Sequence, residues 1–272
     1  MDAKILNSIK SVYFRKTISD HFERLYKYTK EKLFGVDYSV FDKTIRYYKE
    51  TKGQTISHNE ALTRALDKKK HKDAWFMRER IKIDDFMQFY QEVDVYPFRQ
   101  PYLKRFGGFR WYIHLVNHVV KPRILEYGCG SAVLSEYLIE KFSFFHYTVA
   151  DIPSVTLEFV KWKKITYQYA YEILTIGPGR EGIPLRDKYD LIICRDVLEH
   201  TPNPLDIVNA FISKLSPGGV LITDFINSPG GENLEVAVEQ RETVKNILKK
   251  KLIALKAIDE PTGNDGLYIK DA

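Results

Sequence analysis

The first 120 residues carry apolar side chains at intervals of three and four positions, the repeat that lines one face of an α-helix. Four such segments are predicted to be helical, at residues 5–25, 38–49, 83–93 and 109–119, and a further helix opens at residue 58. Pro97 and Pro101 are predicted to interrupt the chain, because proline lacks the amide hydrogen that a helix needs. The pattern therefore indicates an all-helical region over residues 1–120.

A different pattern begins after Pro122, where short apolar runs alternate with amphipathic segments. The apolar runs predict strands at residues 123–128, 145–152, 171–176, 189–194, 220–225, 252–258 and 267–270, and helices are predicted at 132–141, 155–164, 205–215 and 233–250. This alternation is typical of an α/β domain with a mostly parallel sheet, here over residues 121–272. The turn sequence PTGNDG predicts a C-terminal β-hairpin, and hence one antiparallel strand among the seven.

The charge of the chain is unevenly distributed between these two regions. Residues 1–120 contain 24 Lys and Arg against 15 Asp and Glu, a net charge of +9, whereas residues 121–272 contain 18 against 21, a net charge of −3. The basic region is expected to meet an acidic substrate or partner. The two cysteines, the lack of an apolar leader and the lack of a long uncharged apolar run predict a cytoplasmic protein without a membrane span.

The sequence ILEYGCGSAVLSEYL, residues 124–138, places two glycines between the first predicted strand and its helix. Glycines in such a turn let the backbone approach a ligand, and the amides of Ser131 and Ala132 at the helix start favour an anion. A tight connection without a ligand is the simpler alternative. The dinucleotide fingerprint is excluded, because Val133 stands where its third glycine or alanine is required.

Asp151 ends the second predicted strand, in the sequence TVADIP. An acidic residue at this position accepts hydrogen bonds from the hydroxyls of a ribose. The alternative is a helix N-cap, since a helix is predicted to start at residue 155. The glycine turn upstream favours ribose binding.

Four motifs in order, ILEYGCG, VADI, YDLIICRDVLEH and LSPGGVLI, resemble those of the class I S-adenosylmethionine-dependent methyltransferases. Within that family the sequence is most similar to the small-molecule branch related to the quinone-biosynthesis methyltransferases. The resemblance covers residues 121–272 and implies a Rossmann-like fold, with S-adenosylmethionine as the cofactor and S-adenosylhomocysteine as the product. The helical region before residue 121 lies outside the resemblance.

The resemblance also implies which residues hold the cofactor. The loop around the methionine moiety corresponds to Glu126, Gly128, Cys129 and Gly130. Asp151 corresponds to the ribose ligand, and Ile152 to the apolar residue that packs against adenine. Arg195 corresponds to a position that lines the methionine moiety. Many family members hold the adenine amine with an acidic residue after the third strand, where this sequence has Ile176 followed by Gly-Pro-Gly. A backbone group near Ile176 is therefore expected to replace that side chain.

His200, in the sequence DVLEH after the fourth predicted strand, is the candidate general base. An imidazole suits this role because its ordinary pKa of about 6.5 lies near neutral pH. A purely structural histidine is the alternative. Asp196, Glu199 and His200 share one face of a helical turn and form the candidate catalytic group. Metal-dependent relatives, including RNA 2′-O-methyltransferases, hold a divalent ion on such a cluster, but no metal is predicted here, because nearby prolines disfavour a regular helix.

An aromatic stretch at residues 86–112 precedes the first strand. In the resembled fold this segment lies over the cofactor, so Tyr90, Tyr96 and Arg99 are predicted to close the site, with Arg99 paired to the cofactor carboxylate. The alternative is that the aromatic side chains form core between the helical region and the sheet.

The favoured function is methyl transfer to a small, anionic or phosphorylated acceptor, with O- or N-methylation preferred over C-methylation. The helical region, residues 1–120, is predicted to be a lid that builds the acceptor pocket. An RNA methyltransferase is the first alternative, because the lysine-rich helices suit phosphate, although no base-stacking motif is visible. A cofactor-binding but inactive partner subunit is the second. No DNA partner is indicated.

Overall fold

The computed structural model describes residues 29, 31, 36–67, 73, 75–77, 83–104, 111–142, 145–177, 185, 187–226, 233–258 and 265–271. The helices among these residues are α1 (Asp42–Lys52), α2 (His58–Leu66), α3 (Ile83–Glu92), α4 (Tyr96–Lys104), α5 (Trp111–His114), α6 (Val133–Lys141), α7 (Val155–Tyr167), α8 (Pro204–Lys214) and α9 (Glu235–Lys251). The strands are β1 (Arg123–Tyr127), β2 (His146–Asp151), β3 (Tyr171–Thr175), β4 (Tyr189–Cys194), β5 (Leu215–Thr223), β6 (Ile253–Lys256) and β7 (Gly266–Ile269). The helix predicted at residues 5–25 lies outside the described residues.

The strands form one seven-stranded sheet in the order β3-β2-β1-β4-β5-β7-β6. Strands β1 to β5 are parallel, and β7 is antiparallel to both β5 and β6. The predicted Rossmann-like α/β fold with one antiparallel strand is thereby confirmed. Strand order reverses between β1 and β4, whose last residues Tyr127 and Cys194 are paired. The carboxyl ends of these two strands form the switch point at which ligands bind in such sheets.

Two predicted boundaries were wrong. Strand β5 begins at Leu215, not at residue 220, and a register shift opposite Tyr189 and Leu191 accommodates the Pro-Gly-Gly sequence within the strand. The predicted helix at 109–119 ends at His114 in its described part, and residues 115–118 form turns. Val116, Val119 and Val120 follow this end, and β-branched residues have low helix propensity.

The predicted interruption at Pro97 and Pro101 was also wrong, because both prolines lie within α4. Pro97 is in the first turn, where its missing N–H costs nothing. Pro101 lies in the helix interior and leaves the carbonyl of Pro97 without its usual donor. The buried hydroxyl of Thr44 in α1 donates to that oxygen at 2.8 Å. Helix α1 therefore supplies the hydrogen bond that the second proline removes.

The helices α1, α2 and α4 pack against α7 through a shared hydrophobic cluster. Its buried members are Phe41, Tyr47, Tyr48, Ile56, Ala61, Ala65, Phe98 and Phe159. The ring centroid of Tyr47 lies 5.0 Å from that of Phe159 and 5.5 Å from that of Trp162. Among the described residues, none of the helices combines the length and the apolar character that crossing a bilayer requires.

Candidate functional site

The loop between β1 and α6 is held close to the end of β2. The amides of Gly128 and Cys129 both donate to the main-chain oxygen of Ala150, at 2.8 and 3.1 Å. Gly128 and Gly130 adopt φ values of 69° and 53°, in the left-handed region that favours glycine. A methyl group on Gly128 would overlap the side chain of Val197. The two glycines are therefore required by the shape of the loop itself.

Glu126, in β1, fixes the start of the helix that follows the loop. Its buried Oε2 accepts hydrogen bonds from the amide and the hydroxyl of Ser135, at 3.1 and 2.6 Å. Ser135 is the third residue of α6, where helix amides lack partners within the helix. Burial raises the pKa of Glu126, against the opposing effect of Lys104 and of these hydrogen bonds. Glu126 thus acts within the described residues as a helix cap, and its predicted cofactor contact stays a prediction.

Asp151, at the end of β2, lies directly beside the glycine loop. One carboxylate oxygen accepts from the amide of Gly130 at 2.5 Å, and the other from the amide of Ile152 at 2.8 Å. Desolvation raises the pKa of Asp151 to about 6, although these amides and the ammonium of Lys104 oppose the shift. The helix N-cap alternative is wrong, because Ser154 caps α7 through its hydroxyl.

Ser131 is held from two sides by side chains that the sequence analysis did not single out. Its amide donates to Oε1 of Gln100, in α4, at 2.5 Å. Its carbonyl accepts from Nζ of Lys163, in α7, at 2.6 Å. Lys163 is buried and forms an ion pair with Glu136 of α6. Both contacts join segments about thirty residues apart, and no short-range pattern in the sequence indicates them.

Gln100 and Lys104, in the same helix as Arg99, act on the glycine loop and on the carboxylates beside it. Gln100 contacts the loop, and the positive charge of Lys104, one turn later, opposes the rise that burial causes in the pKa values of Glu126 and Asp151. Both lie on one face of α4, because residues four apart share a face. Their placement makes Lys104 an alternative to Arg99 as the partner of a carboxylate, and the predicted role of Arg99 stays a prediction.

A cluster of apolar and aromatic side chains lies next to the carboxyl end of β3. Ile176 is buried, its amide donates to the main-chain oxygen of Asp151 at 2.8 Å, and it shares a hydrophobic cluster with Ile152. The same cluster includes Trp75, Phe89 and Tyr90 from the helical region. The rings of Tyr90 and Tyr96 are stacked, with centroids 5.8 Å apart. The aromatic stretch thus contributes to a core shared by the helical region and the sheet, which includes the two predicted adenine neighbours.

Arg195, immediately after β4, is engaged by acidic side chains. Its Nε lies 2.7 Å from Oδ1 of Asp265 and 3.8 Å from Oδ2 of Asp224, and its Nη1 lies 3.4 Å from the hydroxyl of Tyr112. Asp265 immediately precedes β7, so this contact ties the end of β4 to the antiparallel strand. The predicted place of Arg195 beside the methionine moiety is untested by these contacts and stays a prediction.

A carboxylate cluster follows Arg195. One carboxylate oxygen from each of Asp196, Glu199 and Asp224 lies within 4.8 Å of the others. The amide of Asp196, whose φ is 54°, donates to Oδ1 of Asp224 at 2.7 Å. Burial raises the pKa of Glu199, and burial together with the neighbouring carboxylates raises that of Asp224 well above its usual range. Arg195, whose Nε lies 3.8 Å from Oδ2 of Asp224, supplies positive charge beside these carboxylates.

His200 lies at the end of the short 3-10 turn Leu198–His200. Its Nε2 is 3.8 Å from Oε1 of Glu199, and its side chain is 22% exposed. Glu199 thus lies beside His200 and shares the carboxylate cluster with Asp196, but Asp196 precedes the turn with a left-handed φ, so the three residues do not share one helical face as predicted. The third carboxylate of the cluster is Asp224, which was not predicted from the sequence. Its only signal was an acidic residue at the end of a strand neighbouring β4.

Comparison with known proteins places the chain among methyltransferases. Residues 57–247 match a family described as "Methyltransferase domain". A ubiquinone biosynthesis O-methyltransferase of Marinobacter nauticus is 31% identical over 135 residues, which cover 47% of this chain and 53% of the relative. A protein of the same name from Hydrogenovibrio crunogenus is 24% identical over 166 residues, covering 59% of this chain and 68% of that protein. The match to the first of these relatives thus spans about half of its length.

Among solved structures, one described as "PigF with SAH" superposes on 78% of this chain and 73% of its own, with a TM-score of 0.53 and 15% sequence identity. At this identity the likeness concerns the fold alone.

Proposed function

Because the chain belongs to the class I S-adenosylmethionine-dependent methyltransferases, we propose that it transfers a methyl group from S-adenosylmethionine to a small molecule. S-adenosylhomocysteine is the other product. The observation that carries the proposal is the glycine loop, in which Gly130 and the amide of Ser131 lie beside the carboxylate of Asp151. The activity of the two relatives, both O-methyltransferases by name, supports oxygen as the accepting atom. Nitrogen is the next choice.

The residues of the loop fit the proposed cofactor. The space that a side chain on Gly130 would fill is taken by the polar carboxamide of Gln100, which is bonded to the Ser131 amide. A carboxylate resembles a carboxamide in size and in the acceptor oxygen that it presents. The loop therefore accommodates a polar, carboxylate-sized group over its glycine, as an amino acid moiety requires.

In this proposal each part of the site has a separate task. Asp151 accepts hydrogen bonds from the ribose, the Gly128–Gly130 loop and Cys129 surround the methionine moiety, and Ile152 with Ile176 packs against adenine. Glu126 holds the loop indirectly, by capping α6. When bound, S-adenosylmethionine supplies a methyl group that its sulfonium has already activated.

We propose that His200 removes the proton from the acceptor. His200 lies in the turn that follows β4, whose carboxyl end is at the switch point of the sheet, and Glu199 at 3.8 Å stabilises the imidazolium that forms. Asp196 and Asp224 add negative charge beside this pair. The arrangement suits acceptors with an ionisable hydroxyl or amine.

The acceptor class follows from the charge of the helical region. Residues 1–120 carry a net charge of +9, so we propose a small, anionic or phosphorylated acceptor bound between that region and the sheet. The division into a helical lid, residues 1–120, and a cofactor domain, residues 121–272, belongs to the same proposal.

Two measurements test the proposal. Calorimetry is expected to show binding of S-adenosylmethionine and no binding of NADH. Methyl-labelled cofactor is then offered with a panel of phenols, catechols, aryl phosphates and amines, and with mixed RNA. Transfer to a small acceptor supports the proposal, whereas transfer to RNA alone contradicts it.

The role of His200 is tested with the acceptor so found. His200→Ala is expected to lower kcat at least about 100-fold while the affinity for S-adenosylhomocysteine is kept. The matched control is His118→Ala, which changes an exposed histidine in the turn after α5. An unchanged kcat in His200→Ala would show that the imidazole is structural.

A further inference from the structure

The carboxamide of Gln100 lies directly over Gly130. A methyl group built on that glycine would overlap both Oε1 and Nε2 of Gln100, so the amide plane covers the glycine. Oε1 also accepts the hydrogen bond of the Ser131 amide, at 2.5 Å. The side chain thus fills the space and takes the donor that the glycine loop offers.

We propose that Gln100 is a displaceable plug in the cofactor site. Its carboxamide occupies the position of the α-carboxylate of S-adenosylmethionine, and the cofactor binds by expelling it. This inference rests on the proposed function, since it assigns the loop to an amino acid carboxylate. Gln100 then sets the affinity for the cofactor and, equally, for the product S-adenosylhomocysteine, which carries the same carboxylate.

The physical chemistry favours exchange at this position. A carboxylate accepts a charge-assisted hydrogen bond from an amide, which is about twice as strong as the neutral bond that a carboxamide accepts. The side chain of Gln100 is partly exposed, so the expelled carboxamide regains hydrogen bonds with water. Lys104 lies on the same face of α4 and provides positive charge for an incoming carboxylate.

The main chain at Gln100 is, in contrast, firmly held. Its neighbour Phe98 is buried in the cluster with Tyr48, and the carbonyl of Pro97 is bonded to Thr44. Lys163 holds the carbonyl of Ser131 from the buried side of the loop. Expulsion therefore requires only rotation of the glutamine side chain, while α4 and the loop keep their places.

The first test measures the affinity for S-adenosylhomocysteine by calorimetry. Gln100→Ala removes the competitor and is expected to tighten binding about fivefold, the effect of one lost neutral hydrogen bond. Gln100→Glu keeps the shape but gives a charge-assisted bond and repels the ligand's carboxylate, so binding is expected to weaken at least about tenfold. The matched control, Gln88→Ala, removes an exposed glutamine of α3 bonded to Glu92 and is expected to leave the affinity unchanged.

The second test needs no ligand. Hydrogen exchange at the Ser131 amide is expected to be faster in Gln100→Ala than in the unsubstituted protein, and unchanged in Gln88→Ala.

Equal exchange rates in Gln100→Ala and the unsubstituted protein overturn the plug. So does an alanine variant that binds S-adenosylhomocysteine equally or less tightly, and this result leaves the proposed function standing. Lack of S-adenosylhomocysteine binding by both the unsubstituted protein and Gln100→Ala overturns the proposed function and the plug together.

Discussion

The ammonium of Lys163 donates a 2.6 Å hydrogen bond to the main-chain carbonyl of Ser131. This lysine is only 2% exposed, and burial lowers its pKa while the adjacent Glu136 opposes the shift. A buried charge is tolerated only where it is paired and hydrogen-bonded, and here it has both partners. One side chain of α7 thus ties the glycine loop to α6.

Lys163→Met is expected to lower the free energy of unfolding by about 3 kcal/mol, because it removes the buried cation paired with Glu136 and the donor to a loop carbonyl. Urea denaturation followed by circular dichroism measures the change. Lys161→Met, two residues earlier in α7, is the control, because Lys161 forms an exposed pair with Glu158. Its effect is expected to stay within about 0.5 kcal/mol. Equal losses for the two variants would contradict a specific role of Lys163.

Gly128→Ala is expected to cost more stability than Gly53→Ala. Both glycines have left-handed φ values, 69° and 64°, but only Gly128 faces a neighbour, the side chain of Val197. Gly53→Ala therefore reports the backbone strain alone, about 1–2 kcal/mol, and Gly128→Ala adds the overlap. The double variant Gly128→Ala/Val197→Ala is expected to recover part of the additional loss in the same denaturation assay. No recovery would place the strain elsewhere in the loop.

The affinity for S-adenosylhomocysteine is expected to fall as the pH decreases from 7 to 5. The pKa of Asp151 is raised to about 6, so its carboxylate is mostly ionised at pH 7 and mostly protonated at pH 5. The ribose hydroxyls are donors and prefer the ionised form, which gives about a tenfold weaker affinity at pH 5. Calorimetry at several pH values measures this change. Asp151→Asn has no titratable group at this position, so its affinity is expected to be independent of pH. A pH dependence retained in this variant would show that another carboxyl group causes it.

Thr44→Val is expected to lower the free energy of unfolding by about 1–3 kcal/mol, because the Pro97 carbonyl in α4 loses the hydroxyl that replaces its helical donor. Pro101→Ala restores the helical N–H to this carbonyl. In the Pro101→Ala background the same threonine substitution is therefore expected to cost clearly less. Denaturation of the four proteins gives the coupling free energy directly. A coupling close to zero would mean that the two donors do not serve the same oxygen.

The fold was largely predictable because strand and helix patterns are local. The alternation after Pro122 predicted all seven strands, since each apolar run is short and bounded by turn residues. The turn sequence PTGNDG predicted that one of the seven is antiparallel. Two local predictions failed because contacts between distant segments outweighed the local preference of the sequence. Pro101 was predicted to interrupt a helix that a threonine from α1 completes, and the Pro-Gly-Gly turn was absorbed into β5 by a register shift.

The site was predictable where it depends on strand ends. Gly128 and Gly130 follow β1, and Asp151 is the last residue of the adjacent parallel strand β2, so their proximity follows from the strand order. Gln100 and Lys163 reach the loop from helices far away in the sequence, and their contacts depend on how α4 and α7 pack. Side-chain identity alone gives no signal for such contacts.

The ring of Tyr47 on α1 lies against Phe159 of α7. One helical turn after Phe159 is Lys163, which holds the glycine loop. A substitution such as Tyr47→Ser touches none of the proposed binding or catalytic groups. It would still expose an aromatic face of α7 and lower the population of folded molecules. In a cell the result would be reduced abundance of an enzyme whose remaining copies work normally. Sequence variation at this position would therefore change the total activity in the cell without changing kcat.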